Sequence, residues 1–197
     1  MVEGKFNRRL NCIFLAFDAV LEYDRQKGVR AMQLLIKQRI FAWGDTYDVY
    51  DESGEPRYFV KGKVFSLGHQ IHVFDKQTGA EVGAIKQRLL TLLPKFDVEI
   101  NGTVIGTISR EFTFFKPKYH VDFRGWEVDG DFLGWNYVVR CGDYEVLRVS
   151  EEILTWSDTY AIEYMNPADE IPALLLVLAI DAVNCDGNSI KVNVNFS

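Results

Sequence analysis

Histidine, cysteine and proline are scarce in this chain, and the scarcity of the first two excludes common kinds of site. With three histidines, three cysteines and no C-x-x-C spacing, neither a zinc site nor a disulfide framework is indicated. The cysteines are interpreted as isolated thiols in a reducing, cytoplasmic compartment. The sequence also lacks G-x-S-x-G and G-x-x-x-x-G-K motifs. We predict no catalytic residue, no metal and no cofactor, and therefore a protein that is not an enzyme.

Positive charge and long apolar runs are lacking as well. The formal net charge is −6, from 22 basic and 28 acidic side chains. This balance argues against nucleic acid as a partner, because nonspecific nucleic-acid binding depends on basic surface. The longest apolar run lies within residues 171–183 and is far shorter than the roughly 20 residues that span a bilayer. We therefore expect no transmembrane span.

Residues 1–31 differ from the rest of the chain. Basic residues precede an apolar stretch, as in a signal peptide, but Asp18 interrupts that stretch and no small-residue cleavage site follows. Lys27-Gly28-Val29 is encodable as a purine-rich bacterial ribosome-binding sequence shortly before the Met32 codon. We expect Met32 to be the true start of a bacterial protein and residues 1–31 to lie outside the domain. A chain started at Met32 that failed to fold would contradict this.

What is abundant is repetition, since a fifteen-residue pattern occurs four times in one register. Apolar residues occupy its first and fifth positions, which are predicted to share one buried strand face, and polar residues point the opposite way. A break with glycine, proline or aspartate then leads to a second alternating segment. Each copy is therefore predicted to form strand, corner and strand. The first and fifth residues of the copies are Ile36 and Ile40, Ile85 and Leu89, Ile108 and Phe112, and Val149 and Ile153.

The copies form two similar halves, from Met32 to about Thr107 and from Ile108 to about Tyr164. Turn signals divide these halves into about a dozen short strands, as in antiparallel sandwiches and barrels. Closure into a barrel removes exposed sheet edges. We predict a mainly β protein, a closed antiparallel β-barrel of about twelve strands in two pseudo-repeated halves.

One segment near the end of the chain predicts a helix. Asn166 is a cap residue, Pro167 suits a first turn, and acidic residues follow near the positive end of the helix dipole. The helix is predicted over residues 171–183. Residues 173–180 are apolar on every side, so this helix is expected inside the barrel. Residues 32–184 would then form the domain and 185–197 a tail or extra strand. The buried helix residues are predicted to be Leu174, Leu175, Leu176, Val177, Leu178 and Ile180.

Several phrases carry a family resemblance: Ile36-Lys-Gln with Phe41-Ala-Trp-Gly-Asp45, Val64-Phe-Ser-Leu-Gly68, Ile85-Lys-Gln-Arg-Leu-Leu90, Glu111-Phe-Thr-Phe-Phe-Lys-Pro-Lys-Tyr119, Trp126-Glu-Val-Asp-Gly-Asp-Phe132 and Leu178-Ala-Ile-Asp181. Residues 32–184 resemble the LURP-one-related family, a branch of the tubby C-terminal-like domains that also includes phospholipid scramblases. The resemblance implies a closed barrel around a hydrophobic helix and supplies no catalytic residue. Tubby domains bind phosphoinositide headgroups, which transfers here only as analogy.

Charged residues alternate at equivalent places in the two halves. Lys61 and Lys63 occupy in the first half the positions that Asp129 and Asp131 occupy in the second. Alternating carboxylates would suit calcium, but the spacing of a calcium loop is absent. We interpret these four residues as structural charge pairs across strands.

The corners of the two middle copies combine lysine with large apolar residues. They read Leu92-Leu-Pro-Lys95 and Phe114-Phe-Lys-Pro-Lys118. Lysines beside apolar groups would meet an anionic lipid surface, so Lys95, Lys116 and Lys118 are the predicted contacts. The alternative is that the aromatic residues face the core while prolines and lysines protect sheet edges.

These patterns predict a cytoplasmic, non-enzymatic binding or scaffold domain. Anionic phospholipid is the expected partner, which would make the protein peripheral at a membrane. The alternative is a protein-interaction or stress-associated structural protein with a protein partner and no lipid role. A third class, scramblase-like activity, requires the helix to leave the barrel and enter a bilayer.

Overall fold

A computed structural model of the protein describes residues 31–37, 46–65, 68–111, 118–131, 135–152 and 159–188. Within these ranges, twelve strands precede a short 3-10 turn and one α-helix. Their bounds are β1 Met32–Ile36, β2 Thr46–Asp51, β3 Pro56–Phe65, β4 Gly68–Asp75, β5 Glu81–Gln87, β6 Lys95–Ile100, β7 Thr103–Glu111, β8 Lys118–Asp122, β9 Glu127–Asp131, β10 Asn136–Cys141, β11 Tyr144–Glu152, β12 Thr159–Tyr164 and α1 Glu170–Asn188.

The strands form one antiparallel sheet that curls almost shut. Its spatial order is β8-β7-β6-β5-β4-β3-β2-β1-β12-β11-β10-β9. The first strand pairs with the last, since Met32 lies opposite Tyr164 and Ile36 opposite Tyr160. The two edge strands, β8 and β9, approach each other but form no ladder in the described part of the chain. The predicted barrel of about twelve strands is confirmed, with one junction left unpaired.

The repeated pattern corresponds to four of the strand pairs, β1–β2, β5–β6, β7–β8 and β11–β12. The first residues of the copies, Ile36, Ile85, Ile108 and Val149, are all completely buried. The fifth position behaves differently where it is described. Leu89 is 50% exposed because β5 already ends at Gln87, so the prediction that it shares the buried strand face is wrong.

The antiparallel order gives the barrel two distinct ends. At one end, here called the loop end, odd-numbered strands finish and even-numbered strands begin. At the other end, the turn end, short turns join even strands to odd ones. A turn of this kind joins β6 to β7, where Asn101 and Gly102 both have positive φ, +50° and +75°, as a two-residue hairpin turn requires.

The helix fills the barrel and begins as its cap signature predicts. The Asn166 side chain accepts a hydrogen bond of 2.9 Å from the Ala168 N–H, and a 3-10 turn leads into α1. Residues 173–180 are at most 2% exposed, among them the six predicted helix residues. The observed helix runs on to Asn188, past the predicted end at residue 183 and into the predicted tail.

Two predictions from the sequence have other outcomes. Cys141, the last residue of β10, is disulfide-bonded, so its interpretation as an isolated thiol is wrong. Pairing depends on proximity in the fold rather than on spacing in the sequence, and the side chains of Cys12 and Cys185 lie outside the described residues. The predicted extension also lies outside them, up to residue 30.

Candidate functional site

The connection between β5 and β6 exposes leucines at the loop end. The ladder continues one step past β5, because the Arg88 N–H donates a 2.8 Å hydrogen bond to the Lys95 carbonyl. The chain then reverses with Leu90 at a φ of +59°, a conformation that costs energy for a residue with a side chain. Leu90 and Leu92 are left 106% and 95% exposed. We call residues 88–94 the leucine loop.

Among the residues that the structure describes, exposed apolar side chains are distributed unevenly between the two ends. Val104, Tyr144 and Met165 are each about half exposed, and their positions at strand ends place them singly at the turn end. Single exposed apolar residues are ordinary on protein surfaces, whereas grouped ones mark contact surfaces. The exposed leucines of the leucine loop are grouped in this way, and the loop lies at the end of the barrel where α1 finishes.

Basic residues next to the leucine loop are mostly neutralised. Lys86 Nζ lies 2.5 Å from Glu99 Oε2, and Arg88 Nε lies 2.7 Å from Asp97 Oδ1. The first pair joins β5 to β6, and the second joins the residue directly after β5 to β6. Lys95 is partly buried at the start of β6, and within the described residues it makes no ion pair. It is therefore available to a negative group near the loop.

The three predicted lipid contacts are described to different extents. Lys95 lies opposite Ser109 of β7. Lys118 begins β8, and its backbone lies opposite Glu111 of β7, while its side chain is outside the described residues. Lys116 is outside them entirely. The backbones of Lys95 and Lys118 flank the same strand at the loop end, about 10 Å apart across the sheet.

The four predicted charge-pair residues lie on strands that are not neighbours. Lys61 and Lys63 are on β3, and Asp129 and Asp131 are on β9. Asp129 Oδ2 is 3.8 Å from a guanidinium nitrogen of Arg140 on β10, with the aspartate side chain 87% exposed. Sequence reasoning missed Arg140, which lies outside the repeated positions on which the pairing argument relied.

A shallow cleft of about 290 Å³ lies on the outer wall across β1, β2 and β3. Lys37 Nζ lies 3.9 Å from the centre of the Tyr50 ring. Lys76 Nζ is 2.7 Å from Asp48 Oδ1 and 5.1 Å from the centre of the Phe59 ring. Cation–π contacts of this kind hold lysines on a wall without any ligand, so the cleft identifies no particular partner.

Polar groups at the turn end anchor the start of α1. Glu170 Oε1 accepts hydrogen bonds from Arg57 Nε at 3.1 Å and from the Tyr58 hydroxyl at 2.5 Å. Arg124 and Asp169 form an ion pair of 2.5 Å. Burial raises the pKa of Asp169, and Arg124 partly offsets this. These contacts connect the helix start to the barrel wall and form a structural cluster.

Fewer polar contacts to α1 are described at the loop end than at the turn end. The Tyr119 hydroxyl of β8 donates a hydrogen bond to Asn184 Oδ1, and burial raises the Tyr119 pKa to about 12. Asp181 is only 7% exposed, and its Oδ2 has no hydrogen-bond partner among the described residues. Burial raises the Asp181 pKa to about 8. The sequence signal for this group was an acid directly after an apolar run.

Metal and membrane-span geometry is not found in the described ranges. They contain no group of three or more histidine, cysteine, aspartate or glutamate side chains able to hold a metal ion. No helix within them has both the length and the apolar character needed to cross a bilayer.

The twelve-stranded barrel with its buried helix agrees with one known family. The sequence profile of the LURP-one-related family matches residues 32–181. The chain belongs to the LURP-one-related family. The resemblance noted in the sequence is thereby confirmed, since this match spans all twelve strands and most of α1.

One relative and one solved structure are similar to this LURP-one-related chain. The uncharacterized protein YxjI from Bacillus subtilis (strain 168) is 28% identical over 152 residues, which cover 77% of this chain and 93% of YxjI. A solved structure of an Arabidopsis thaliana protein is similar with a TM-score of 0.56 and 19% identity, covering 80% of this chain and 93% of the plant chain. That structure supports the fold alone.

Proposed function

We propose that this LURP-one-related protein is a non-enzymatic, peripheral membrane-binding domain that contacts anionic lipid through the leucine loop. The observation that carries the proposal is the nearly complete exposure of Leu90 and Leu92 at the loop end. A second support is Lys95, which adjoins the loop and has no ion pair among the described residues. An apolar tip beside a cationic group suits the boundary between lipid headgroups and acyl chains.

The expected free energies indicate that the two leucines, rather than Lys95, supply most of the affinity for lipid. Full burial of a leucine side chain contributes about 1.5–3 kcal/mol. A lysine near an anionic surface contributes about 1 kcal/mol. The net charge of −6 opposes long-range attraction to the same surface, and two nearby cations are paired with carboxylates. Insertion of two leucines therefore accounts for most of the expected affinity, and binding should be weak and reversible.

The filled barrel interior supports a role in which the protein binds a partner through its outer surface and does not catalyse a reaction. Apolar side chains of α1 and the strands occupy the barrel interior, which leaves the outer surface and the two ends for binding. The position of α1 inside the sheet also disfavours the scramblase alternative, because the helix would have to leave its packing partners to enter a bilayer.

Vesicle flotation tests the proposal with the full chain. Wild-type protein is expected to float with phosphatidylcholine vesicles that contain phosphatidylserine, and less with phosphatidylcholine alone. Changing Leu90→Ser together with Leu92→Ser should reduce the partition coefficient about tenfold or more, because two apolar side chains no longer enter the lipid. A double variant that floats as well as wild type would contradict the leucine loop as the contact.

Two further variants separate insertion from charge. Val104→Ser with Tyr144→Ser removes exposed apolar groups at the turn end and should leave flotation unchanged. Lys95→Glu should weaken binding to the phosphatidylserine vesicles and leave binding to phosphatidylcholine alone nearly intact. Failure of wild-type protein to float with either vesicle would overturn the lipid proposal.

A further inference from the structure

In the described part of the barrel wall, one junction between strands is unpaired, that between β8 and β9, here called the seam. These strands are consecutive in the chain and are joined by residues 123–126, where the Trp126 N–H donates a 3.2 Å hydrogen bond to the Phe123 carbonyl. Their outer neighbours hold them by ladders, β7 to β8 and β10 to β9. Between them the described residues form no ladder. Of the strand junctions that the structure describes, the seam is therefore the one held by the fewest backbone hydrogen bonds.

The end of α1 lies behind the seam. Asp181 and Asn184 are three residues apart and so share one face of the helix. Tyr119 reaches Asn184 from β8, and the hydrogen bond between them ties an edge strand to the helix. From β10, Tyr137 is almost completely buried and interacts electrostatically with Asp181. Both tyrosines therefore lie close to the same turns of α1.

Asp181 is a buried acid in this region, and no described cation balances its charge. It is buried, and its Oδ2 accepts no hydrogen bond from the described residues. The titratable groups that interact with it are the phenols of Tyr119 and Tyr137, while Arg110 acts on Tyr119. Burial alone raises the Asp181 pKa. No described cation compensates its negative charge, so the closed barrel accommodates the protonated carboxyl and disfavours the carboxylate.

We propose that the seam is a pH-sensitive gate, in which loss of the Asp181 proton releases the Tyr119–Asn184 contact and frees β8 from the last turns of α1. Water hydrates the Asp181 carboxylate when the seam opens, whereas the closed wall excludes that water. This device acts at the same end as the leucine loop but does not depend on lipid binding.

The direction of the pH dependence follows from the raised pKa. When the seam is open, Asp181 is hydrated and ionises near its ordinary pKa of 3.8, whereas the closed state has a pKa of about 8. The closed state therefore holds the proton more tightly, and it loses stability relative to the open state as the pH rises from about 4 to about 8. Between pH 6 and pH 9 the opening constant should rise about ten- to hundredfold.

Hydrogen exchange at pH 6 and pH 9, corrected for intrinsic exchange rates, tests the gate. In wild type, the opening constants of amides in β8 and the last turns of α1 should rise by that factor, while those in β3 and β4 stay within about twofold. In Asp181→Asn, which keeps the shape but cannot ionise, the seam amides should lose this response. An equal rise throughout the barrel, or an Asp181→Asn variant that responds like wild type, would overturn the proposal.

Two other variants test the parts of the gate separately. Asp169→Asn removes, at the opposite end of α1, the charge that pairs with Arg124 in the β8–β9 connection. It should raise seam opening by a similar factor at pH 6 and pH 9 and therefore retain the pH response. If it abolished that response, general helix electrostatics would replace Asp181 as the cause. Tyr119→Phe removes the hydroxyl that bonds to Asn184 and should increase seam opening already at pH 6. Unchanged opening in this variant would show that the contact does not hold the seam.

Discussion

Leu175→Ala is expected to lower the free energy of unfolding by about 2–5 kcal/mol, the range for truncation of a fully buried leucine. Leu175 is completely buried, and its side chain packs directly onto Gly83 of β5, where an added Cβ would come within 2.7 Å of Leu175 Cδ1. The substitution leaves a cavity between helix and sheet. Because natural domains are stable by only about 5–15 kcal/mol, urea denaturation should reveal a large shift in midpoint.

The matched control is the same substitution at the surface. Leu90→Ala removes the same atoms from a residue that is fully exposed and should change stability by less than about 0.5 kcal/mol. Equal effects of the two substitutions would mean that α1 is not packed inside the sheet. Gly83→Ala combined with Leu175→Ala gives a second check, since the added methyl would occupy part of the cavity and the double variant should lose less stability than the two single losses summed.

Gly106→Ala should be the most damaging small substitution, lowering the unfolding free energy by about 3 kcal/mol or more. A Cβ at Gly106 of β7 would lie 2.2 Å from the Asp122 carbonyl oxygen and 2.3 Å from Phe123 Cβ. The first of these atoms belongs to the backbone at the end of β8, so the ladder between β7 and β8 would have to shift. Thermal melting of the purified variant, or its soluble yield if it does not fold, measures the effect.

Gly79→Ala is a control that distinguishes the steric clash expected at Gly106 from ordinary backbone strain. Gly79 has a φ of +69°, and a Cβ added there would have no heavy atom within 4 Å, so alanine meets strain but no steric clash. Its cost should be about 1 kcal/mol. If Gly79→Ala proved as harmful as Gly106→Ala, the close approach of β7 to the residues after β8 would not be the cause.

Most of the fold could be predicted because its signals are local and repeated. Alternation within each copy placed Ile36 and Ile85 on the buried face, where the structure has them. The cap at Asn166 located the start of the helix within a few residues. Apolar character on every side predicted that α1 is buried, since no surface position could accommodate it.

The failures concern ends of elements and pairs distant in sequence. Periodicity continued through Leu89, but the strand stops at Gln87, and nothing in the alternation marks that stop. The pairing of Asp129 with Arg140 depends on which strands become neighbours and on a diagonal contact between them. For the same reason the sequence could not place Asp181 beside Tyr119 and Tyr137, because their proximity exists only once the sheet has curled around the helix.

The order of elements has a consequence for biosynthesis. α1 follows all twelve strands in the chain. A nascent polypeptide therefore exposes the apolar inner face of every strand before α1, which covers that face, has been synthesised. β1 likewise waits for β12, its partner in the finished sheet. We expect the domain to collapse only once α1 has left the ribosome and to rely on chaperones until then, since unpaired strands of high contact order are slow to fold and prone to aggregate.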